Sequence, residues 1–277
     1  MAQAAIAYRA AQKSTRFLAK IEDHWKDTLL RDITSGGIRQ SALTLYPAAT
    51  GATRNRQVIA PTLAMINHAA SLGWCSKISM KRFDISPKVK EPAALAWVRG
   101  FCDHASAHLG GLCIFMFGTA ARVSEALRLQ WSEVDLSAGT ARLSGDKPKP
   151  WTRVAHLPPE VIAALANIPS NRNPDDLVFQ YAGHGCVTKV WDNVVRRAGI
   201  APLTPHSCRH GFATMMMREG FDVNTIAKAG GWKDPATVLR HYGHALDDKT
   251  VTNALFGTNL TQANVENNIS NSNIRRK

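Results

Sequence analysis

Five side chains of the sequence, in one order, could handle a phosphodiester between them: Arg122, His206, Arg209, Trp232 and Tyr242. Two guanidiniums can grip the non-bridging oxygens of a phosphate through paired, charge-assisted N–H bonds. A histidine moves a proton near neutral pH. The tryptophan indole donates a hydrogen bond but cannot shuttle a proton. A tyrosine can attack phosphorus and become a covalent intermediate. Taken singly, each residue reads as ordinary: a surface arginine, a histidine at a helix start, a packing tryptophan or tyrosine.

The spacing adds to the residue types. Glu125 follows Arg122 by three positions and can pair with it along an amphipathic helix that runs on through Leu127 and Leu129. Leu203-Thr204-Pro205-His206-Ser207-Cys208-Arg209-His210 reads as a helix start, with Thr204 as N-cap and Pro205 in the first turn. His206 and Arg209 then lie near a helix N-terminus, where free N–H groups and the positive dipole end favour a phosphate. Asp234-Pro235 opens the helix that delivers Tyr242, ten residues after Trp232, with His241 one position earlier. A rival reading takes histidines as metal ligands, because His206/His210 and His104/His108 are four apart and His184 is close to Cys186. Zinc needs three or four converging ligands, and no pair here has a third at a recognised spacing.

The segments GTAARVSEALRLQW, LTPHSCRHGFAT and GGWKDPATVLRHYGH, in this order, resemble the tyrosine recombinase family, the phage-type integrases, over residues from about 94 to 256. The resemblance implies that Arg122 and Arg209 hold the scissile phosphate and that Glu125 braces the site. His206, Arg209 and His210 match the family's His-x-x-Arg-His, and Trp232 stands where the family has His or Trp. Lys147, in a turn between two strands, matches the lysine that protonates the leaving 5′ oxygen; Lys149 is the alternative. Tyr242-Gly243-His244 resembles the family's Tyr-x-His and makes Tyr242 the nucleophile. The implied chemistry gives a 3′-phosphotyrosyl bond and a free 5′ hydroxyl, with no cofactor, no metal and no ATP. Implied partners are double-stranded DNA, a tetramer of protomers on two DNA sites, and accessory DNA-bending or directionality proteins, in the cytoplasm or nucleoid of a prokaryotic or phage-infected cell. The other functions in view are a type IB topoisomerase, a non-catalytic DNA-binding regulator on the same fold, and a metal-dependent nuclease, which the absence of a carboxylate cluster disfavours.

These residues need elements to carry them. The chain of 277 residues has a net charge of +13, which favours a polyanionic partner, nucleic acid before membrane. Residues 1–83 hold 12 Lys+Arg against 4 Asp+Glu, and the remaining 194 hold 22 against 17, so the smaller part is the more basic. No apolar run is long enough to span a bilayer. Five dispersed cysteines without a C-x-x-C pair argue for reduced thiols.

The pattern predicts a mainly α fold with a small antiparallel β-sheet. Residues 1–83 form a helical DNA clamp, with helices over 14–33 and 53–72 and a turn-and-loop region around Gly36, Gly37, Pro47 and Gly51. Residues 84–93, with two prolines and mixed charge, read as a linker. Residues 94–257 form the catalytic domain, with strands over 139–144 and 152–157 flanking the lysine turn. Further helices are expected over 94–107, 111–118, 159–167, 187–198, 205–218, 222–229 and 235–242. Val251, Ala254, Leu255 and Phe256 form an apolar cluster suited to docking on a neighbour. The polar, Asn-rich stretch 258–277 lacks the apolar residues needed to order it. No arm-binding domain is expected ahead of residue 14.

Overall fold

A computed structural model describes residues 1–85, 91–145 and 151–242. Lys147, Lys149, His244, the apolar cluster at 251–256 and the 258–277 tail lie outside the described residues. The chain divides into two compact units, Met1–Lys88 and Val89–Lys277.

The first unit is helical: α1 (Ala2–Ala10), α2 (Leu18–Trp25), α3 (Ser35–Leu45), α4 (Gly51–Arg54) and α5 (Ala60–Ser71). On α2, Leu18, Ile21 and Trp25 recur at helical spacing and enter a core with Tyr8, Ile38, Ile59 and Ile66. The expected 14–33 helix is therefore shorter, and only a 3₁₀ turn at Leu30–Asp32 follows it. A helix also replaces the expected loop around Gly36 and Gly37. Thr34 caps α3, its Oγ1 accepting from the Gly37 N–H at 3.1 Å, so both glycines sit in a capped first turn, where their cost is smallest. Between α4 and α5, residues Asn55–Ile59 make a π-turn in which the Ala60 N–H reaches the Asn55 carbonyl. That wider turn precedes Pro61, which has no N–H to give to an α-helical bond.

Two asparagines then pin the chain that leaves α5. Asn67 exchanges two hydrogen bonds with the backbone of Ile78, and buried Asn55 exchanges two with Phe83, at 2.8 and 2.9 Å.

The second unit contains α6 (Leu95–Asp103), α7 (Ala107–Thr119), α8 (Val123–Ala126), α9 (Pro159–Ala166), α10 (His184–Ala198), α11 (Pro205–Arg218), α12 (Val223–Gly230) and α13 (Pro235–Tyr242). Strands β2 (Thr140–Ser144) and β3 (Thr152–His156) pair antiparallel, with Leu143 opposite Arg153. A third strand, β1 (Val134–Asp135), joins β2 at its outer edge; two residues are too few to show an alternating pattern in sequence.

Helix α7 is apolar nearly all round and runs through the centre of the core. Trp97, Phe101 and Trp191 stack beside it, with ring centroids 4.2–6.0 Å apart. Both indoles also donate a hydrogen bond at 2.9 Å, Trp97 to the Ala201 carbonyl and Trp191 to the Leu203 carbonyl. These bonds fix the segment that feeds α11. Thr204 takes the N-cap position there without a side-chain capping bond; its carbonyl accepts from the Ser207 N–H instead. The incoming chain crosses α11 at Ala93, whose N–H donates to the Ser207 carbonyl at 2.9 Å. A Cβ at Gly211 would lie 2.1 Å from the Ala93 carbonyl oxygen, so the crossing requires glycine. Below it, α11, α12 and α13 share a small core of Ala213, Met217, Ile226, Ala227 and Val238.

Candidate active site

Arg122 lies at the end of a tight turn. Helix α7 stops at Ala120, which is left-handed at φ +54°, and Arg122 is extended, as an N-cap. The amphipathic helix expected after it is a single turn, α8, because the chain must leave towards the sheet. Glu125, only 3% exposed, accepts from the Arg122 N–H at 3.0 Å and from Arg122 Nη1 at 2.5 Å. The pairing anticipated from the spacing is present, and it fixes both backbone and guanidinium while 43% of the Arg122 side chain stays exposed.

Arg209 is buried. Its Nη1 donates to the Ala120 carbonyl and, at 2.8 Å, to that of Gly230. Its guanidinium lies 3.7 Å above the centre of the Trp232 ring, a close cation–π contact. Trp232 stacks in turn against Phe212 of α11. The residue between Gly230 and Trp232, Gly231, is left-handed at φ +67°, which turns the chain sharply enough to bring the indole back under Arg209.

Arg122, Glu125, Arg128, Arg153, Lys228, Trp232 and Lys233 share the lining of one cleft of about 670 Å³. So many cations in one place repel each other, and three features offset this. Glu125 supplies a full negative charge. The C-termini of α7 and α12 add partial negative charge where Arg209 and Arg153 touch them. Burial still pushes the Arg153 guanidinium below its ordinary pKa, with Glu125 holding it up and Arg122 pressing it down.

His206 is exposed on the first turn of α11, and its ring meets that of His210 edge-on at 4.7 Å. Tyr242 closes α13, the helix packed on α11 and α12; its side chain lies outside the described structure, as does the whole lysine turn. Among the described residues no group of three or more His, Cys, Asp or Glu side chains could hold a metal, and no helix is long and apolar enough to cross a membrane.

Arg153, Arg128, Lys228 and Lys233 are cleft residues that the motifs do not name. Arg153 had a sequence signal: in a strand with period 2 it shares parity with Ala155, the buried face, while Thr152, Val154 and His156 point out. An arginine on that face must have a partner inside.

A helical unit carrying a three-stranded sheet, with Arg122 and Trp232 lining one cleft and Arg209 buried against that tryptophan, defines the tyrosine recombinase catalytic fold. The chain belongs to the phage integrase family, whose profile matches residues 97–249. It is 32% identical over 129 residues to the tyrosine recombinase XerD of Neisseria meningitidis serogroup B, covering 43% of this chain and 44% of that one. It is 26% identical over 243 residues to an integrase/recombinase of Escherichia coli, covering 69% and 71%. The matches to the XerD and XerC relatives span under half the length of those proteins.

Among solved structures, the Tn1549 transposon integrase in complex with circular intermediate DNA aligns with a TM-score of 0.70 at 15% identity, over 91% of this chain and 97% of that one. The XerH site-specific recombinase bound to palindromic difH substrate aligns at 0.67 and 18%, over 87% and 77%.

Proposed function

We propose that this chain is a site-specific DNA recombinase that cuts and rejoins strands through a covalent 3′-phosphotyrosyl intermediate on Tyr242. The observation that carries this reading is the convergence of Arg122, braced by Glu125, with Arg209 and Trp232, next to the helix that bears the tyrosine. Arg122 and Arg209 bind the scissile phosphate and stabilise the pentacoordinate transition state with charge fixed in advance. The Trp232 indole adds a donor, His206 assists proton transfer, His210 supports it, and Lys147 or Lys149 protonates the leaving 5′ oxygen. The phosphotyrosyl bond keeps the energy of the phosphodiester, so a 5′ hydroxyl from a partner strand can reverse the step. No metal is required, because the cationic side chains occupy the role that ions have in other phosphoryl transfers.

Residues 1–83 serve as the clamp on the opposite face of the duplex, which their excess of basic residues supports. The complete reaction uses four protomers on two sites. An apolar groove of about 650 Å³, lined by Leu95, Ile114, Phe117, Phe212, Met215 and Met216 among others, offers a seat for the 251–256 cluster of a neighbour. The relatives and the DNA complexes named above support action on DNA in a prokaryotic cytoplasm.

Labelled nicked suicide duplexes built from DNA flanking the gene test the reading. Wild type gives a covalent adduct on denaturing gels, in excess EDTA, and the adduct maps to Tyr242. Tyr242→Phe removes one oxygen and abolishes the adduct while DNA binding survives; His241→Ala is far milder. An adduct that persists in Tyr242→Phe sinks the assignment. Adduct formation with no joining to a second DNA keeps the chemistry and moves the function to a topoisomerase. A 5′-bridging sulfur substrate restores cleavage to Lys147→Ala, since a thiolate leaves without protonation; rescue of Lys149→Ala instead exchanges the two lysines.

A further inference from the structure

Two helices end next to each other in the second unit, and two arginines hold the ends together. Helix α7 leaves the carbonyls of Thr119 and Ala120 without helical partners, and α12 leaves those of Ala229 and Gly230. Arg209 from α11 bridges the pair Ala120 and Gly230. Arg153 from β3 bridges the adjacent pair, its Nη2 donating to Thr119 at 2.7 Å and its Nη1 to Ala229 at 2.9 Å. The result is a double strap of charge-assisted bonds, one rung from each arginine, between two ends that carry negative dipole charge. Immediately beyond those ends, both chains turn through left-handed residues, Ala120 and Gly231. Two positions past the strap lie Arg122 on one side and Trp232 on the other. The Arg153 side chain also packs against Gly231: a Cβ there would meet its Nε at 2.5 Å, so the turn that aims Trp232 is moulded on Arg153.

We propose that Arg153 is a positioning residue: by strapping the α7 and α12 ends together it sets the separation between the phosphate-binding Arg122 and Trp232, without itself touching DNA. Arg209 supplies one rung, through Nη1, and the second rung from Arg153 constrains the angle between the two ends as well as their distance. Lysine cannot substitute, because its compact ammonium does not reproduce a fork whose two arms reach carbonyls on different helices.

The catalytic half of this inference rests on the recombinase reading; the structural half does not, and the experiment separates them. In the full-length chain, amide hydrogen exchange of peptides spanning 119–123 and 229–233 is compared for wild type, Arg153→Ala and Arg153→Lys. Exchange rises at both helix ends together in either variant and stays at the wild-type level in the Trp97–Phe101–Trp191 core. Guanidinium ion at tens of millimolar refills the Arg153→Ala hole and restores protection, and sodium chloride of equal ionic strength does not. On the suicide duplex, single-turnover adduct formation falls by about 10²-fold, as expected when reacting groups shift by about an ångström. Affinity for the duplex stays within a few-fold, and guanidinium recovers the rate.

Unchanged exchange at both ends overturns the proposal, whatever the enzyme assay shows. So does a wild-type adduct rate in Arg153→Lys, which keeps the charge and replaces Arg153→Ala as the deciding variant if the latter does not fold. Equal losses of affinity and rate, with no guanidinium rescue, reduce Arg153 to a stability role. A wild type that forms no adduct refutes the recombinase reading and leaves the exchange result to decide the strap.

Discussion

The two units solve the same problem with a different balance of chemistry. Each has backbone groups outside its helical hydrogen-bond ladders, and each satisfies them with forked side chains. In Met1–Lys88 two neutral amides do this, Asn55 on Phe83 and Asn67 on Ile78, beside one half-buried guanidinium, Arg54, that donates to the Tyr46 and Pro47 carbonyls; the other basic side chains remain outside. In Val89–Lys277 the forks are guanidiniums drawn inside onto helix ends. A neutral fork gives shape alone. A charged one gives shape and also leaves a positive field beside the cleft. The first unit therefore keeps most of its cations on the surface, and the second fixes several of its own in one place.

That contrast can be broken at several points, the largest effect first. Deleting residues 1–83 lowers affinity for duplex DNA by orders of magnitude and flattens its salt dependence, because the deletion removes contacts that release counterions. Binding titrations at several salt concentrations measure this, and equal affinity of the fragment shows that the first unit is not the clamp. Arg122→Lys retains the charge but loses the fork, and costs about 10²–10³ in single-turnover cleavage, the usual effect of removing one transition-state donor. Near-normal cleavage would demote placement below charge in the second unit.

Asn55→Ala leaves the backbone of Phe83 unpaired and costs about 1–3 kcal/mol in the first unit. Urea unfolding followed by exchange in residues 51–85 reports it, with cleavage chemistry on pre-bound DNA unchanged. The smallest effect is at Asp222, the cap of α12. The Thr225 hydroxyl, followed by the Thr225 and Asn224 N–H groups, holds its carboxyl below the usual range. A depressed carboxylate pKa stabilises the fold above the unfolded value of about 3.9 and loses that contribution as pH falls below it. Asp222→Ala therefore lowers the melting temperature slightly at pH 7, and the gap from wild type narrows as the pH falls through the lowered carboxyl pKa. A gap that persists in acid shows that the carboxylate charge is not what caps α12.

The grouping of the site was legible in the sequence where residue type and position in a motif coincide. Arg122, Glu125, Arg209 and Trp232 are brought to one place, and the 3-residue step from Arg122 to Glu125 does become an ion pair. The legible part stops where tertiary contacts choose the geometry. Gly36 and Gly37 read as loop residues by composition, yet a threonine cap makes them helical. The helix after Arg122 shrinks to one turn because its neighbours, not its amphipathic pattern, set its length. Arg153 shows in the sequence only as a charge on the buried face of its strand; its partners are main-chain carbonyls of residues 34 and 76 positions away, which no local spacing reveals.

Ala93 has a mechanical consequence. Just ahead of α6 the chain is buried at Ala93, where it crosses α11, hydrogen-bonded to Ser207 and seated on Gly211. His206, Arg209 and His210 all lie within that short span of helix. Tension along the chain at Ala93 is therefore delivered to the first turns of α11, which carry His206, Arg209 and His210. A pull there has a short lever on those side chains, and inserting slack ahead of Ala93 would lengthen it.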